Sequence, residues 1–222
     1  MAKLGEVVIV ANSPQRLSAF YRQVFELTPI AESAAHVVLS DGYVNLVLRK
    51  DSRLAPGLHA ARFHVENAAA LRHKLGANAQ DQIADPDGNL IEVDEKEFVT
   101  AKKATPFPIR HLALYTPDPR RLASFYENNL QLREVAATDR SSIFVSDGYF
   151  NLALLFERPG EEKLGLNHFG FHVKDIEEMR DRAEKAGMPR GDKRPDRIPF
   201  AEYRLHDPEG NGIDISVKGW KA

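Results

Sequence analysis

Short runs of apolar residues typical of β-strands recur along this chain. Two of them are followed by segments in which the apolar residues have the spacing of a helix. VVIVAN (7–12) and HLALYT (111–116) are each followed by such a segment, and in residues 121–132 the apolar side chains recur three to four positions apart. Two alternating runs come next, and in the later copy they are joined by Asp147-Gly148, a strong hairpin signal. The pattern predicts strand–helix–strand units.

These elements occur twice in the same order. The matched blocks are RLSAFYRQVFEL (16–27) with RLASFYENNLQL (121–132), SDGYVNLVL (40–48) with SDGYFNLAL (146–154), RFHV (62–65) with GFHV (170–173), and DPDGNLIEV (85–93) with DPEGNGIDI (207–215). Such order indicates a tandem duplication. The polar, proline-bearing stretch AKKATPFP (101–108) is typical of a linker. We therefore predict domains at 1–100 and 109–222, each long enough to bury a core of its own.

A second cycle of elements follows the first within each domain. In the later domain the strand NHFGFHV precedes the helix DIEEMRDRAEKAG, whose pattern stops at Gly187. The strands EYRLH and GIDISV then flank the turn DPEG. Each domain therefore consists of two βαβββ units in series, which makes the fold class α+β.

Composition narrows the functional classes. The 222 residues carry a formal net charge of -2 without a block of basic residues, so a nucleic-acid partner is not expected. The absence of cysteine excludes disulfides, thiol nucleophiles and cysteine-bound metals. The start lacks the apolar segment of a secretory signal, and no apolar stretch approaches the roughly 20 residues that span a bilayer. We expect a soluble cytoplasmic protein with a small-molecule partner and no membrane partner; it can be a homo-oligomer.

The pattern resembles the vicinal oxygen chelate superfamily, which includes glyoxalases, bleomycin-resistance proteins and type I extradiol dioxygenases. The resemblance covers nearly the whole chain. It is carried by the Phe-Tyr pair of each first helix, the strands HLALYT and NHFGFHV, and above all the hairpins DPDGNLIEV and DPEGNGIDI. It implies that the two units of a domain form a cupped mixed sheet with helices on the outside and a site for metal and substrate within the cup.

Carried over position by position, the resemblance implies that His111, His168 and Asp214 are metal ligands. Strand alternation supports this, because it turns each of these side chains away from its apolar neighbours. The corresponding residues of the first domain are Glu6, Ala60 and Glu92, which cannot form the same triad. We expect a metal in the second domain and none in the first. If the units paired across the duplication, Glu6 would join His168 and Asp214, but pairing within domains is the simpler arrangement.

Two imidazoles and a carboxylate suit Fe(II), with Mn(II), Co(II) or Zn(II) also possible, and they leave positions for substrate and O₂. The resemblance then implies an extradiol dioxygenase that cleaves a catechol-like or other aromatic substrate. A metal-free binding protein of the bleomycin-resistance type is one alternative. A glyoxalase-like lyase or isomerase is another, although glyoxalases take a fourth ligand, a glutamate, from the strand that here reads FNLALLF (150–156).

Three further residues are candidates for catalysis. Arg204 and His206 lie on the strand paired with that of Asp214, and their counterparts in the first domain are Gln82 and Ala84. Arg204 stands where ring-cleaving relatives have a tyrosine, and it can hold a carboxylate or phenolate. His206 can act as an acid or base. His172 shares the face of His168, but its counterpart His64 favours a structural role.

Overall fold

The computed structural model describes residues 1–77, 83–138, 142–157, 163–196, 198 and 200–222. Within these residues the first half of the chain forms β1 (Lys3–Val10), α1 (Pro14–Phe25), β2 (Thr28–Glu32), β3 (His36–Ser40), β4 (Asn45–Arg49), β5 (Gly57–His64), α2 (Ala68–Lys74), β6 (Ile83–Ala84) and β7 (Leu90–Asp94). The second half forms β8 (Ile109–Thr116), α3 (Pro119–Leu130), β9 (Arg133–Ala137), β10 (Ile143–Ser146), β11 (Asn151–Phe156), β12 (Gly165–His172), α4 (Ile176–Lys185), β13 (Asp192–Lys193), β14 (Tyr203–His206) and β15 (Gly212–Ser216). None of the helices in these ranges is long and apolar enough to cross a membrane.

The strands form two mixed sheets, one from each half of the chain. The first has seven strands in the order β2-β3-β4-β1-β5-β7-β6, and the second has eight in the order β13-β14-β15-β12-β8-β11-β10-β9. In each sheet the first strands of the two units lie side by side and antiparallel, as β1 with β5 and β8 with β12. The units therefore pair within each half, and the expected α+β fold of βαβββ units is confirmed. We retain 1–100 and 109–222 as the proposed domains.

The first helix of each half begins and ends at equivalent residues. The side chains of Ser13 and Asp118 accept hydrogen bonds from backbone N–H groups three residues later, and a proline follows each cap. Each helix ends at a residue in the left-handed region, Glu26 with a φ of 55° and Gln131 with a φ of 59°. The duplicated sequence thus produces duplicated local structure.

Although each half is long enough to bury a core of its own, the buried cores of the two halves are continuous. One continuous cluster of buried side chains includes both helical layers and the helix-facing side of both sheets. Phe25 of α1 stacks on Phe171 of β12, with ring centroids 3.8 Å apart and an angle of 12° between the planes. The physical reason is that α1 packs against α4, so the apolar face of a helix from the first half covers strands of the second.

The repeated motifs also join the halves through hydrogen bonds. The tyrosine of each Phe-Tyr pair donates a hydrogen bond from its hydroxyl to the aspartate of the DP-(D/E)-GN turn in the other half. The aspartate of each SDGY turn accepts a hydrogen bond from a backbone N–H in the first strand of the other half. The four bonds are Tyr21 Oη to Asp207 (2.7 Å), Tyr126 Oη to Asp85 (2.9 Å), Ile109 N to Asp41 (2.6 Å) and Leu4 N to Asp147 (2.8 Å). The shared motifs therefore build the contact between the halves.

Candidate functional site

One face of the second sheet is turned away from the helices, and we call it the site face. It carries a small apolar cluster of its own, formed by Ala113, Phe144 and Ala153. Two neighbouring rows of residues in register cross this face from strand to strand. The first row is Asn151, His111, Gly170, Asp214 and Arg204. The second row is Phe144, Ala153, Ala113, His168, Gly212 and His206.

The two rows bring His111, His168 and Asp214 together, and we call these three the ligand cluster. Their ligand-type atoms all lie within 4.8 Å of one another, and all three residues are buried, with exposed fractions of 3%, 3% and 2%. In the parts of the chain that the structure describes, this is the one group of three or more such side chains placed to hold a metal ion. Residues far apart in the sequence meet because β8, β12 and β15 are neighbours in the sheet.

A carboxamide fixes the orientation of the His111 ring. Asn151 Nδ2 donates a hydrogen bond of 2.7 Å to the carbonyl of Lys221, so its Oδ1 faces His111 Nδ1 at 3.0 Å. Because that oxygen can only accept, the proton of the neutral imidazole lies on Nδ1. The lone pair of His111 therefore lies on Nε2. A partner of this kind commonly orients a metal-binding histidine.

His168 and Asp214 contact each other and have further polar partners. His168 Nε2 lies 3.2 Å from Asp214 Oδ2, while its Nδ1 lies 2.9 Å from Asn167 Oδ1. The other oxygen of Asp214, Oδ1, accepts a hydrogen bond of 2.6 Å from Arg204 Nε. One carboxylate oxygen is thus held by Arg204, and the second is directed towards His168.

Burial and nearby charges set the protonation of the ligand cluster. Burial, together with a smaller contribution from the neighbouring His168, lowers the pKa of His111 to about 3. Burial likewise lowers the pKa of His168. Burial alone would raise the pKa of Asp214, but the interactions with His168 and Arg204 outweigh it and hold that pKa well below its ordinary value. Two neutral imidazoles and an ionised carboxylate result, which is the state that binds metals.

Trp220 packs against the ligand cluster from the C-terminal segment, residues 217–222. Its indole stacks on the imidazole of His111, with centroids 4.8 Å apart and 8° between the planes. A Cβ atom at Gly170 would lie only 2.7 Å from the indole ring, so glycine is required there. Asn151 binds the same segment through Lys221. The segment therefore covers one side of His111.

The first sheet has the same rows with different residues. Its first row is Asn45, Glu6, Arg62 and Glu92, and its second row is Val38, Val47, Val8, Ala60 and Leu90. Arg62 takes the position of Gly170. Its guanidinium contacts Glu6 at 2.6 Å and Glu92 at 3.1 Å. An arginine thus lies between the two carboxylates, and an alanine replaces the second histidine, which explains physically why the first half lacks the triad.

The remaining predicted residues lie around the ligand cluster at different positions. Arg204 contacts Asp214 directly, and His206 lies in the second row beyond Gly212, exposed at the end of β14. His172 faces the C-terminal segment, since its Nε2 lies 3.2 Å from the carbonyl of Val217. That contact supports the structural role. Glu6 lies in the first sheet, and Gln82 falls outside the described residues.

Sequence reasoning missed three residues of the site: Asn151, Gly170 and Trp220. One signal was present in the duplication, where GFHV aligns with RFHV and so places Gly170 opposite Arg62. Asn151 gave no such signal because Asn45 occupies the same position in the first half and binds the carbonyl of Val99 at 2.9 Å. A residue common to both halves was interpreted as part of the fold, although one copy also orients a histidine.

Comparisons with known proteins give a family profile and a set of similar folds. Residues 109–215 match the sequence profile of the Glyoxalase/Bleomycin resistance protein/Dioxygenase superfamily. No curated protein sequence matches the chain significantly.

Solved structures resemble the chain over almost its entire length. The 2,3-dioxygenase LapB from Pseudomonas sp. KL28 is 17% identical, with a TM-score of 0.71 over 99% of this chain and 93% of that chain. A Mn(II)-bound glyoxalase from Novosphingobium aromaticivorans is 18% identical, with a TM-score of 0.76 over 100% and 85%. Homoprotocatechuate 2,3-dioxygenase from Arthrobacter globiformis is 17% identical, with a TM-score of 0.71 over 96% and 79%. At these identities the likeness establishes the fold of both halves.

Proposed function

Since the second half of this chain, matched over residues 109–215, belongs to the glyoxalase/bleomycin resistance protein/dioxygenase superfamily, we propose that the protein is a metal-dependent enzyme of the extradiol dioxygenase type. The observation that carries the proposal is the buried ligand cluster of His111, His168 and Asp214. Its substrate would be a small aromatic molecule with two adjacent oxygens, and its metal would be Fe(II), with Mn(II), Co(II) and Zn(II) as alternatives.

The hydrogen bonding of His168 supports a metal at this position. Acceptor oxygens face both of its ring nitrogens, Asn167 Oδ1 at one and Asp214 Oδ2 at the other. A neutral imidazole has a single N–H and satisfies one of the two. A cation between His168 Nε2 and Asp214 Oδ2 removes this conflict, and their separation of 3.2 Å suits two ligands whose bonds to one ion are about 2.1 Å long.

The residues around the ligand cluster have distinct tasks in this proposal. A divalent metal held by two imidazoles and a carboxylate supplies Lewis acidity and open positions for adjacent oxygens and O₂. The apolar residues Ala113, Phe144 and Ala153 form a buried cluster in the same row as His168 and would border a bound aromatic ring. Arg204 keeps the carboxylate of Asp214 ionised and oriented. His206, on the same face, is the proposed acid or base.

Three protein ligands fit this site better than the four of a glyoxalase. The residue beside His111 on β11 is Asn151, and both ends of its carboxamide are already used by His111 and Lys221. No carboxylate is available at that position. This observation favours the oxygenase over the lyase or isomerase.

Metal analysis of the full chain, purified without chelator, tests the first part of the proposal. We expect about one equivalent of metal per chain in the unmodified protein and a large loss in His111→Ala and in His168→Ala. His36→Ala, which replaces an exposed histidine of the first half, is the matched control and should keep the metal. A stoichiometry near one that survives both ligand substitutions would refute the ligand assignment.

Oxygen uptake tests the reaction itself. Protein reconstituted anaerobically with Fe(II) should consume O₂ when a catechol is added, and His206→Gln should slow turnover while leaving the metal bound. Activity with Zn(II) or Mn(II) that needs no O₂ would indicate the isomerase or lyase. A protein that binds aromatic molecules without any metal would be a binding protein of the resistance type.

A further inference from the structure

A cavity of about 360 Å³ lies where the first strand of the first half meets the SDGY turn of the second half. The carboxylate of Asp147 holds this junction together, because it accepts hydrogen bonds of 2.8 and 2.9 Å from the backbone N–H groups of Leu4 and Tyr149. The volume lies in the range of small-molecule sites. No residue of the ligand cluster lines the cavity, so it is separate from the proposed metal site.

Three aromatic side chains give the cavity an apolar wall. The rings of Tyr43 and Tyr149 lie 5.0 Å apart between centroids, with 32° between the planes. The ring of Phe98 lies over Gly5, and both residues belong to the lining. Glycine is required at that position because a Cβ atom would overlap the ring. Rings arranged in this way suit a flat aromatic molecule, which can pack against them by offset or edge contacts.

The duplication explains why the ring of Tyr43 remains accessible. Gly5 aligns with Arg110 of the second half. The guanidinium carbon of Arg110 lies 4.2 Å from the centroid of the Tyr149 ring, and its Nε donates a hydrogen bond of 2.7 Å to the carbonyl of Tyr149. Gly5 has no side chain that could cover Tyr43 in the same way, and Tyr43 is 58% exposed. A bound molecule can therefore take the place beside Tyr43 that Arg110 takes beside Tyr149.

Two polar atoms of the lining residues are buried and have no hydrogen-bond partner in the part of the chain that the structure describes. They are Tyr149 Oη and His64 Nδ1. Burial raises the pKa of Tyr149 to about 13, so its hydroxyl remains a donor. His172, the counterpart of His64, has the carbonyl of Val217 3.2 Å from its Nε2. Buried polar atoms normally have partners, and a hydroxyl group suits either of these two because it both donates and accepts.

The charges of the lining favour a neutral molecule. Lys3 and Glu97 are both exposed and bring opposite charges to the cavity. The carboxylate of Asp147 is buried, with an exposed fraction of 8%. A bound anion would meet this carboxylate, and none of the lining residues is a buried lysine or arginine that could offset the repulsion.

We propose that this cavity is a second small-molecule site, which binds an uncharged aromatic molecule with a hydroxyl group, a phenol. Its ring would pack against Tyr43 and Phe98, and its hydroxyl would bond to Tyr149 Oη or His64 Nδ1. The proposal goes beyond the metal-dependent function and does not rest on it, because no metal ligand takes part.

Fluorine NMR titration of the full chain, metal-free and metal-loaded, tests the proposal with three probes of similar size. 4-Fluorophenol has the hydroxyl, 4-fluorotoluene has a methyl group in its place, and 4-fluorobenzoate is an anion. We expect saturable binding of 4-fluorophenol with a Kd of about 1 mM or below in both forms of the chain. 4-Fluorotoluene should bind about fivefold more weakly, as expected for one lost hydrogen bond, and 4-fluorobenzoate should show no saturable binding.

Four variants locate the binding. Tyr149→Phe keeps the ring and removes Oη, so 4-fluorophenol should bind about as weakly as 4-fluorotoluene, whose own affinity stays unchanged. Tyr43→Ala removes an exposed ring and should weaken both probes. Tyr203→Phe is the matched control, because it removes a tyrosine hydroxyl outside the cavity, and it should bind like the unmodified chain. His111→Ala disables the proposed metal site and should also leave 4-fluorophenol binding intact.

The outcomes are distinct from those of the metal experiments. Failure of 4-fluorophenol to saturate below about 10 mM would overturn the proposal. Binding that is unchanged in both Tyr149→Phe and Tyr43→Ala, or that disappears in His111→Ala, would place the phenol elsewhere and also overturn it. A chain that binds the phenol at this cavity but holds no metal would support this site and refute the proposed function.

Discussion

The indole of Trp220 lies nearly parallel to the imidazole of His111, 4.8 Å from it between ring centroids. Trp220 is the sole tryptophan of the chain, so its fluorescence comes from one place beside one proposed ligand. Gly170 makes this stacking possible, because any side chain at that position would overlap the indole. The protein therefore contains its own reporter of events at His111.

We predict that Co(II) added to the metal-free chain quenches the fluorescence of Trp220 in a saturable manner. The physical reason is that a paramagnetic ion bound by His111 would lie beside the indole. Fluorescence titration gives the affinity directly, and His111→Ala should remove the saturable component. Stoichiometric Co(II) binding with unchanged emission would place the metal elsewhere and contradict the ligand assignment.

A second prediction concerns Asn151, which holds the proton of His111 on Nδ1. Asn151→Ala removes this support and also releases the carbonyl of Lys221. We expect metal affinity to fall by about 10-fold to 100-fold, as is typical when the partner of a metal-binding histidine is lost. The decrease should appear in the same Co(II) titration.

The duplication provides the control for this experiment. Asn45 makes the corresponding bonds in the first half, to Glu6 at 3.2 Å and to the carbonyl of Val99. Asn45→Ala should therefore lower the free energy of unfolding about as much as Asn151→Ala does, while metal affinity stays unchanged. Equal losses of metal affinity in the two variants would show that Asn151 acts through overall stability alone.

Much of this architecture was predictable from the sequence because the signals involved are local. Strand alternation, the Asp-Gly turns and the helix caps are each set by neighbouring residues, and the repeat confirmed them twice over. The positions of His111, His168 and Asp214 followed from the resemblance, and the register of β8, β12 and β15 places them in adjacent rows.

The parts that escaped prediction depend on contacts between distant segments. Nothing local in the sequence indicates that Phe25 stacks on Phe171 and so joins the cores of the two halves. Trp220 lies beyond the last strand, and only the folded chain shows that this segment returns to His111. In the alignment of the two halves Arg62 was only an unmatched residue. The structure shows that its guanidinium lies between the carboxylates of Glu6 and Glu92.

A third prediction follows from the low pKa of His111, which burial brings from 6.5 to about 3. In the unfolded chain this imidazole takes up a proton as the pH falls through about 6.5, whereas in the folded protein it stays neutral until about pH 3. The unfolded state therefore gains stability in acid. We expect the metal-free chain to lose free energy of unfolding between pH 6.5 and 4.5, by up to about 1.4 kcal/mol per pH unit for this residue.

Urea denaturation at several pH values measures this dependence. His111→Gln should make the slope shallower between pH 6.5 and 4.5, with the remaining slope due in part to His168, whose pKa is also lowered by burial. The pKa of Asp214 is held below its ordinary value, so its contribution is lost only at more acidic pH, below about 4. A slope in His111→Gln equal to that of the unmodified chain would contradict the buried neutral state.

The last prediction concerns Arg62, which takes the place of a cation in the first sheet. Its guanidinium lies against the carboxylate of Glu6, a side chain only 8% exposed. Arg62→Met keeps most of the side-chain volume and leaves that carboxylate buried without its counter-charge, so the free energy of unfolding should fall by about 2–4 kcal/mol in urea denaturation. Arg53→Met, which removes an exposed arginine from its pair with Asp51, should cost much less than Arg62→Met.

Removing the carboxylate as well distinguishes charge from packing. If the loss in Arg62→Met arises because Glu6 is left unpaired, the double variant Glu6→Gln with Arg62→Met should recover a large part of the stability, since a neutral amide costs less to bury than an ion. If the loss arises from packing against Phe98, whose ring lies 5.4 Å from the guanidinium carbon, the double variant should be no more stable than the single one. Recovery would establish that a guanidinium has the same electrostatic role in the first half that a metal ion is proposed to have in the second.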